Sequence, residues 1–376
     1  MSATVEIDFM RIEPKKIIMR VRETPTRELA LAIAKKHKAV HRNFDHYAGV
    51  VTMHGLARIA TEADADVDSC RDIVAEVAPY ADGEREWNAN FPNYYCGGNA
   101  TAWLFKEGLL PDALGTIEHY ADEILNVAPR SSDGILTMVR GTNQQKIWID
   151  VAFAVTPFLV FAGVAMGRED YLREAYLQTS KMVEIFRNTE TGLLHQSRDF
   201  NGPGKLSEDH WSRGNGWGAY ALAELALELP VGHPLKKHSV EMLLDLIDSA
   251  LNYQDRNGLW HQEMSDLDSR GSYVETSGSG LLLYAVGRCL EAGIGKPEWR
   301  TAFTRGLSGL LDYITEDLDI FHTCRGCLCP GGGSKLEYRA MAPVRNDVHA
   351  FGPYVLAFGQ ASRIGIENTS ELKIDE

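Results

Sequence analysis

The chain has 376 residues, 44% hydrophobic and 24% charged, a composition that supplies a sizeable core and excludes general disorder. Its net charge of −14, with no basic run, excludes nucleic acid as a partner, because phosphates require clustered lysine and arginine. No stretch approaches the ~18 uncharged apolar residues of a membrane span, and the N-terminal MSATVEIDFMRIEPKK lacks the charged and apolar regions of a signal peptide.

In chain order, apolar positions recur at helical spacing over 27–39, 44–61, 66–79, 98–107, 111–126, 147–166, 169–187, 214–228, 233–253, 278–293, 297–313 and 347–363. In 66–79, for example, Val67, Cys70, Ile73, Val74 and Val77 share one face. Gly163 and Gly167, and then Pro230 and Pro234, supply stop signals. The connections near 62–65, 108–110, 167–168, 229–232 and 294–296 are short. Those near 80–97, 127–146, 188–213, 254–277 and 314–346 are long, and long loops are often functional.

Four long connections carry related pieces: DGILTM at 133–138, TGLLHQ at 191–196, NGLWHQ at 257–262 and LDIFHT at 318–323. The weak repeat of roughly 60 residues and the alternating loop lengths predict six helical hairpins with their long loops on one side. The expected fold is all-α, an (α/α)6 barrel over 26–376 after an N-terminal extension at 1–25, with an open helical solenoid as the alternative. A concave site is expected at the rim that the long loops build.

Chemistry-bearing residues cluster in these loops. Asp150 begins a very apolar helix, where the helix terminus favours its charged form and apolar surroundings favour its protonated form. That competition tunes an acid for work near neutral pH; the bland reading is a helix cap. In EDHWSRGNGWGAYALAEL (208–225), Trp211, Arg213 and Trp217 surround Gly214 and Gly216. Indoles stack on sugar faces, arginine pairs with carboxylates, and the glycines permit close backbone approach. The structural alternative is a core Trp pair. An acidic chain that binds an anion needs such local cations.

His195 and His261 occupy matching loop positions, each followed by Gln, and are read as rim contacts. In SRGSYVETSGSG (269–280), Glu275 is expected to tie down loop amides, and Ser277 and Ser279 are candidate caps. The C-x2-C-x-C of HTCRGCLCPGGG (322–333) lacks a clear fourth ligand, so no metal is expected there. The six sparse cysteines, at 70, 96, 289, 324, 327 and 329, fit free thiols in a reducing cytoplasm.

From about Tyr47 to Ala361 the chain resembles the unsaturated glucuronyl and rhamnogalacturonyl hydrolases, glycoside hydrolase families 88 and 105. The resemblance rests on WID (148–150), WSRGNGW (211–217), GLWHQ with SYVETSGSG (258–280) and NDVHAFGPYVLA (346–357). It implies an (α/α)6 barrel that hydrates a Δ4,5-unsaturated uronic acid on an acidic oligosaccharide, without metal or organic cofactor. The family aspartate that protonates C4 matches Asp150; water then adds at C5 and the hemiketal collapses. Trp148, His195, Arg213 and Trp217 match residues around the unsaturated sugar; Tyr47, Trp211 and His261 join them as binding candidates.

Two departures mark an outlying branch. Asn93 stands nearest the place of a second family aspartate, and Arg140 lies in the neighbourhood of a family histidine, where it is a second candidate carboxylate clamp. The rival readings are a glucuronidase with two carboxylates, drawing its partner from Glu275, Asp199 or Asp347, a sugar epimerase, and a non-catalytic sugar-binding protein.

Overall fold

The structure, a computed structural model, describes residues 20–82, 98–137, 145–266, 272–328 and 334–372. Its helices, in order, are α1 (Thr26–His41), α2 (Tyr47–Ala60), α3 (Val67–Ala81), α4 (Gly98–Lys106), α5 (Leu114–Asn126), α6 (Asp150–Met166) and α7 (Glu169–Phe186). They continue as α8 (Ser212–Glu228), α9 (Lys236–Leu251), α10 (Thr276–Glu291), α11 (Pro297–Leu311), the short α12 (Lys335–Ala340) and α13 (Phe351–Arg363). Each of the twelve segments expected from periodicity holds a helix, although 147–166 opens with two strand residues, and α12 is an addition inside the last long connection.

Inner and outer helices alternate. Contacts run from α2 to α4, α6, α8, α10 and α13 in turn, and α13 packs back on α2. That last contact closes the ring and excludes the open solenoid: the fold is an (α/α)6 barrel. The two shells differ in pattern because they differ in neighbours. In α6, every residue from Asp150 to Gly163 is buried, because the outer shell covers one side and the barrel interior the other. In α5, the buried set is Ile117, Ala121 and Ile124, the narrow stripe of a helix with one covered side. The same rule corrects one expectation in α3: Ile73 and Val77 are buried, but Val67, just after the Asp66 cap, is 77% exposed.

All inner helices begin at the end where the long connections lie. Four of those connections start with the same tight turn, which is what the sequence repeat encodes. Backbone bonds close it from Ser131 N to Ile135 O at 2.7 Å, Asn188 N to Leu193 O at 2.8 Å, Asp255 N to Leu259 O at 2.8 Å and Thr315 N to Asp319 O at 3.0 Å. Each turn needs one residue at positive φ, supplied by Gly134, Gly192 and Gly258 and, in the fourth, by Leu318. Beyond the turns, β1 (Ile147–Trp148) pairs with β2 (Ser197–Arg198), and β3 (Trp260–His261) with β4 (Val274–Glu275), both antiparallel.

The opposite end is filled by ions. Glu291 takes bonds from Arg288 at 2.7 Å, Arg363 at 2.8 Å and Arg58 at 3.0 Å. Arg288 also reaches Glu228 at 2.6 Å, and Lys106 lies 3.1 Å from Glu228. Among the described residues, no helix is long and apolar enough to cross a membrane.

Candidate active site

At the rim, β1 carries the chain into α6 and fixes Asp150 beside the loop of β2. Trp148 pairs with Ser197, and Ile149 N donates to Gln196 O at 2.9 Å. Ile149 occupies the N-cap position and no side chain caps the helix, so Asp150 is not its cap. The carboxyl is 6% exposed, and its Oδ2 has no hydrogen-bond partner among the described residues. Burial pushes its pKa up to about 6, against the pull of Arg213, its own backbone amide, Gln196 and Trp217. Burial acts as its apolar surroundings suggested, but the opposing pull comes first from Arg213 rather than from the helix terminus alone.

Arg213 is held at the start of α8. Its Nη1 donates to Cys324 O at 2.6 Å and to Ser277 Oγ at 2.9 Å, and its guanidinium lies 4.5 Å over the Trp211 ring. The other edge, Nε and Nη2, is buried without a hydrogen-bond partner among the described residues. Burial alone would lower its pKa; neighbouring Cys324, Glu275, Tyr47 and Asp347 reverse the direction, so it stays charged. The geometry is a braced cation with one two-pronged edge left over.

The aromatic residues divide. Trp217 stacks on Phe153 at 3.9 Å between ring centres, and Trp148 lies parallel to Phe200 at 5.4 Å. Trp211 packs with Tyr338 and Cys324 in a small cluster of its own. Of the two glycines in RGNGW, Gly216 gives its space to a neighbouring helix, as does Gly278 across from it. A Cβ on Gly216 would meet Leu281 Cβ at 2.8 Å, and one on Gly278 would meet Arg213 N at 2.5 Å. These two let α8 and α10 touch, whereas a Cβ on Gly214 would meet the Trp211 ring at 3.3 Å and Ile149 Cγ2 at 3.4 Å.

The two matching histidines have different surroundings. His195 is half-buried, lies 3.3 Å from Asn188 and is 4.6 Å from the His210 ring. Burial, then His210, push its pKa down to about 4, so it is neutral. His261 is buried, with Nδ1 on Ser272 O at 2.7 Å and Nε2 3.7 Å from Asp255. It braces two loop strands. The glutamine after each histidine is the better clue. Gln196 stands beside Asp150 and accepts from the Tyr338 hydroxyl at 2.6 Å, while Gln262 donates to the Cys324 sulfur at 3.2 Å.

Glu275 caps α10. It accepts from Ser277 N at 3.0 Å, Ser277 Oγ at 2.6 Å, Gly278 N at 2.6 Å, Ser212 Oγ at 3.0 Å and Cys324 N at 3.0 Å. The amide-tying role expected for it holds, whereas the expected caps, Ser277 and Ser279, serve it instead. Asn93, Arg140, Arg270, Cys96 and Cys329 lie outside the described residues.

Sequence reading missed four groups here. Gln196 reaches the site from the loop before β2 and Tyr338 from α12, and His349 meets the Tyr47 hydroxyl at 2.5 Å. Asp209 is fully buried; burial pushes its pKa up to about 7, and its Oδ1 has no hydrogen-bond partner among the described residues. Its place just before WSRGNGW was the available signal.

Residues 25–364 match the profile of Glycosyl Hydrolase Family 88. The chain is 27% identical over 208 residues to the unsaturated rhamnogalacturonyl hydrolase YesR of Bacillus subtilis, a match covering 54% of this chain and 58% of that protein. It is 24% identical over 302 residues to an unsaturated 3S-rhamnoglycuronyl hydrolase of Alteromonas, covering 76% and 71%. Its fold superposes on a family 105 glycoside hydrolase of C. acetobutylicum with a TM-score of 0.75, at 21% identity, covering 89% of this chain and 99% of that one.

Proposed function

The chain belongs to glycosyl hydrolase family 88, and from that premise we propose that its barrel, residues 26–376, removes a Δ4,5-unsaturated uronic acid from the non-reducing end of lyase-generated oligosaccharides. Asp150, protonated at mildly acidic pH, delivers its proton to C4 of the vinyl ether. Positive charge develops at C5 and is shared with the ring oxygen. The Asp150 carboxylate then takes a proton from water as that water adds at C5. The resulting hemiketal opens and releases the neighbouring sugar. Arg213 is close enough to favour the carboxylate that forms on Asp150.

The observation that carries this reading is the pairing of a buried acid with a half-used guanidinium. Nε and Nη2 form the side-on fork that matches a carboxylate bidentately. Tyr47, Trp148, His195, Trp211 and Trp217 are read as binding residues beside them, and Asn93 and Arg140 are added on their sequence positions. The names of the two relatives favour rhamnose as the released sugar. The sparse cysteines of the sequence fit work in the reducing cytoplasm.

The test is an unsaturated disaccharide. Loss of its vinyl-ether absorbance, with one sugar released per double bond lost, is the expected result. Release of uronate from a saturated substrate, with no need for the double bond, would replace hydration by two-carboxylate hydrolysis. Glu275, with its five hydrogen bonds to the protein, is poorly suited to that second role.

A further inference from the structure

Tyr47, His349 and Asp347 form a hydrogen-bonded chain at the rim. Tyr47 opens α2, and His349 and Asp347 lead into α13, so the contact that closes the barrel also assembles the chain. The Tyr47 hydroxyl lies 2.5 Å from His349 Nε2. His349 Nδ1 lies 2.6 Å from Asp347 Oδ1, which also accepts from the His349 backbone amide at 3.0 Å.

The direction of each bond follows from protonation. Burial, then Arg213, push the His349 pKa down to about 4, although Asp347 pulls the other way, so the ring is neutral and carries one proton. His46 stands edge-on to it at 5.8 Å, and burial lowers the His46 pKa as well. Burial would raise Asp347, but His349 and Arg213 hold it below the usual carboxylate range. It is therefore an acceptor, and the imidazole proton must sit on Nδ1. Nε2 is then a lone pair. Burial raises the Tyr47 pKa, so the phenol keeps its proton and donates it to Nε2. Asp150 and Arg213 both act electrostatically on Tyr47 from the site. A partner that meets its oxygen from that side must be a donor.

We propose that Asp347 and His349 are positioning residues that fix Tyr47 as a hydrogen-bond acceptor for a hydroxyl of the sugar bound beside Asp150. The proposal rests on the sugar-binding reading above.

The test compares Tyr47→Phe, His349→Phe and the double variant on the unsaturated disaccharide. Each single change should raise KM about tenfold, the usual worth of one neutral hydrogen bond, with kcat within about threefold. The double variant should be no worse than His349→Phe, because both changes remove one bond. Additive losses, an unchanged KM or a loss confined to kcat would overturn the assignment; the last would point to water as the donor. Nitrogen NMR of the wild-type imidazole tests the chain without turnover and without any variant having to fold. The Nδ1–H tautomer of His349 is expected, and the Nε2–H tautomer would overturn the proposal. Wild-type protein that leaves the disaccharide intact while showing Nδ1–H would instead remove the hydration reading alone.

Discussion

The two ends of the inner helical ring both set carboxylates near arginines, half-buried Glu291 at one and buried Asp150 at the other, with opposite results. At the far end, burial would raise Glu291, yet Arg58, Arg288 and Arg363 hold it well below the usual carboxylate range. At the rim, burial raises Asp150 to about 6, and the charge of Arg213 only moderates it. The difference is contact. Three guanidiniums bond Glu291 directly, whereas Asp150 Oδ2 has no hydrogen-bond partner among the described residues. Burial by itself always disfavours the charge, and direct donors decide whether it survives. One end is thereby a clamp, and the other holds an acid whose pKa is raised toward neutrality.

The comparison breaks most visibly at Asp150. Asp150→Asn should leave the fold and substrate binding intact and cut turnover by about 10²–10⁴-fold, the usual worth of general acid–base catalysis. Steady-state kinetics within a few-fold of wild type would remove Asp150 from the mechanism. In the wild type, the proton-donating form is lost as pH rises through about 6, so kcat should fall over that range.

The far end should respond in stability rather than rate. Arg288 is buried, lies 3.4 Å from fully buried Glu224 and bonds partly buried Glu291 and Glu228, so Arg288→Ala leaves carboxylates short of donors. A loss of about 3–5 kcal/mol is expected in urea unfolding, typical of one half of a buried pair removed. The kcat of the remaining folded protein should stay near wild type. A variant as stable as wild type would mean that the clamp is ornamental.

Arg213 lies between these cases, because one edge of it braces the rim and the other is left over. Arg213→Ala should weaken uronate binding by about 1.5–3 kcal/mol, the range for hydrogen bonds to charged groups. Arg213→Lys should not restore it, since lysine lacks the planar fork. Calorimetry with the uronate and its methyl ester separates the roles: equal losses for both would assign Arg213 to bracing only.

How much of this was legible follows the same division. Helix positions were readable because covered faces impose periodicity, and the barrel followed from alternating loop lengths and the TGLLHQ-type turns. Asp150 and Arg213 stand out in the sequence because they sit at helix starts within specific motifs. Gln196 was hidden by its neighbour: the eye goes to His195, but the β1–β2 pairing carries the glutamine to Asp150. Gly216 of RGNGW was hard to assign for a related reason. A ligand and a crossing helix both demand the absence of a Cβ, and only the Gly216–Leu281 approach distinguishes them. His349 depends on a contact between helices about 300 residues apart in sequence.

The smallest expected effect is the sharpest test of the contrast, because it reverses in sign between the two ends. Asp150 has a folded pKa of about 6 against an ordinary 3.8, so at neutral pH folding must keep a buried charge that the unfolded chain holds freely. At about 1.4 kcal/mol per pH unit, that penalty is bounded at about 3 kcal/mol. Asp150→Asn removes it, so the inactive variant should be more stable than wild type at pH 7.5, by about 1–2 kcal/mol after the amide's own burial cost. As pH falls from about 6 toward 4, the wild-type carboxyl takes up its proton in the folded state and the gain should fade. Glu291 has the opposite linkage. Its folded pKa is depressed, so its contribution is present above the unfolded value and is lost as pH falls through the folded one. Glu291→Gln should therefore destabilise at pH 7.5, and that deficit should shrink only on strong acidification. Urea unfolding of both variants at pH 7.5 and pH 4 reads the two slopes. If both shift stability in the same direction at pH 7.5, the two ends do not differ in how they treat a buried charge, and the raised acidity range of Asp150 loses its physical basis.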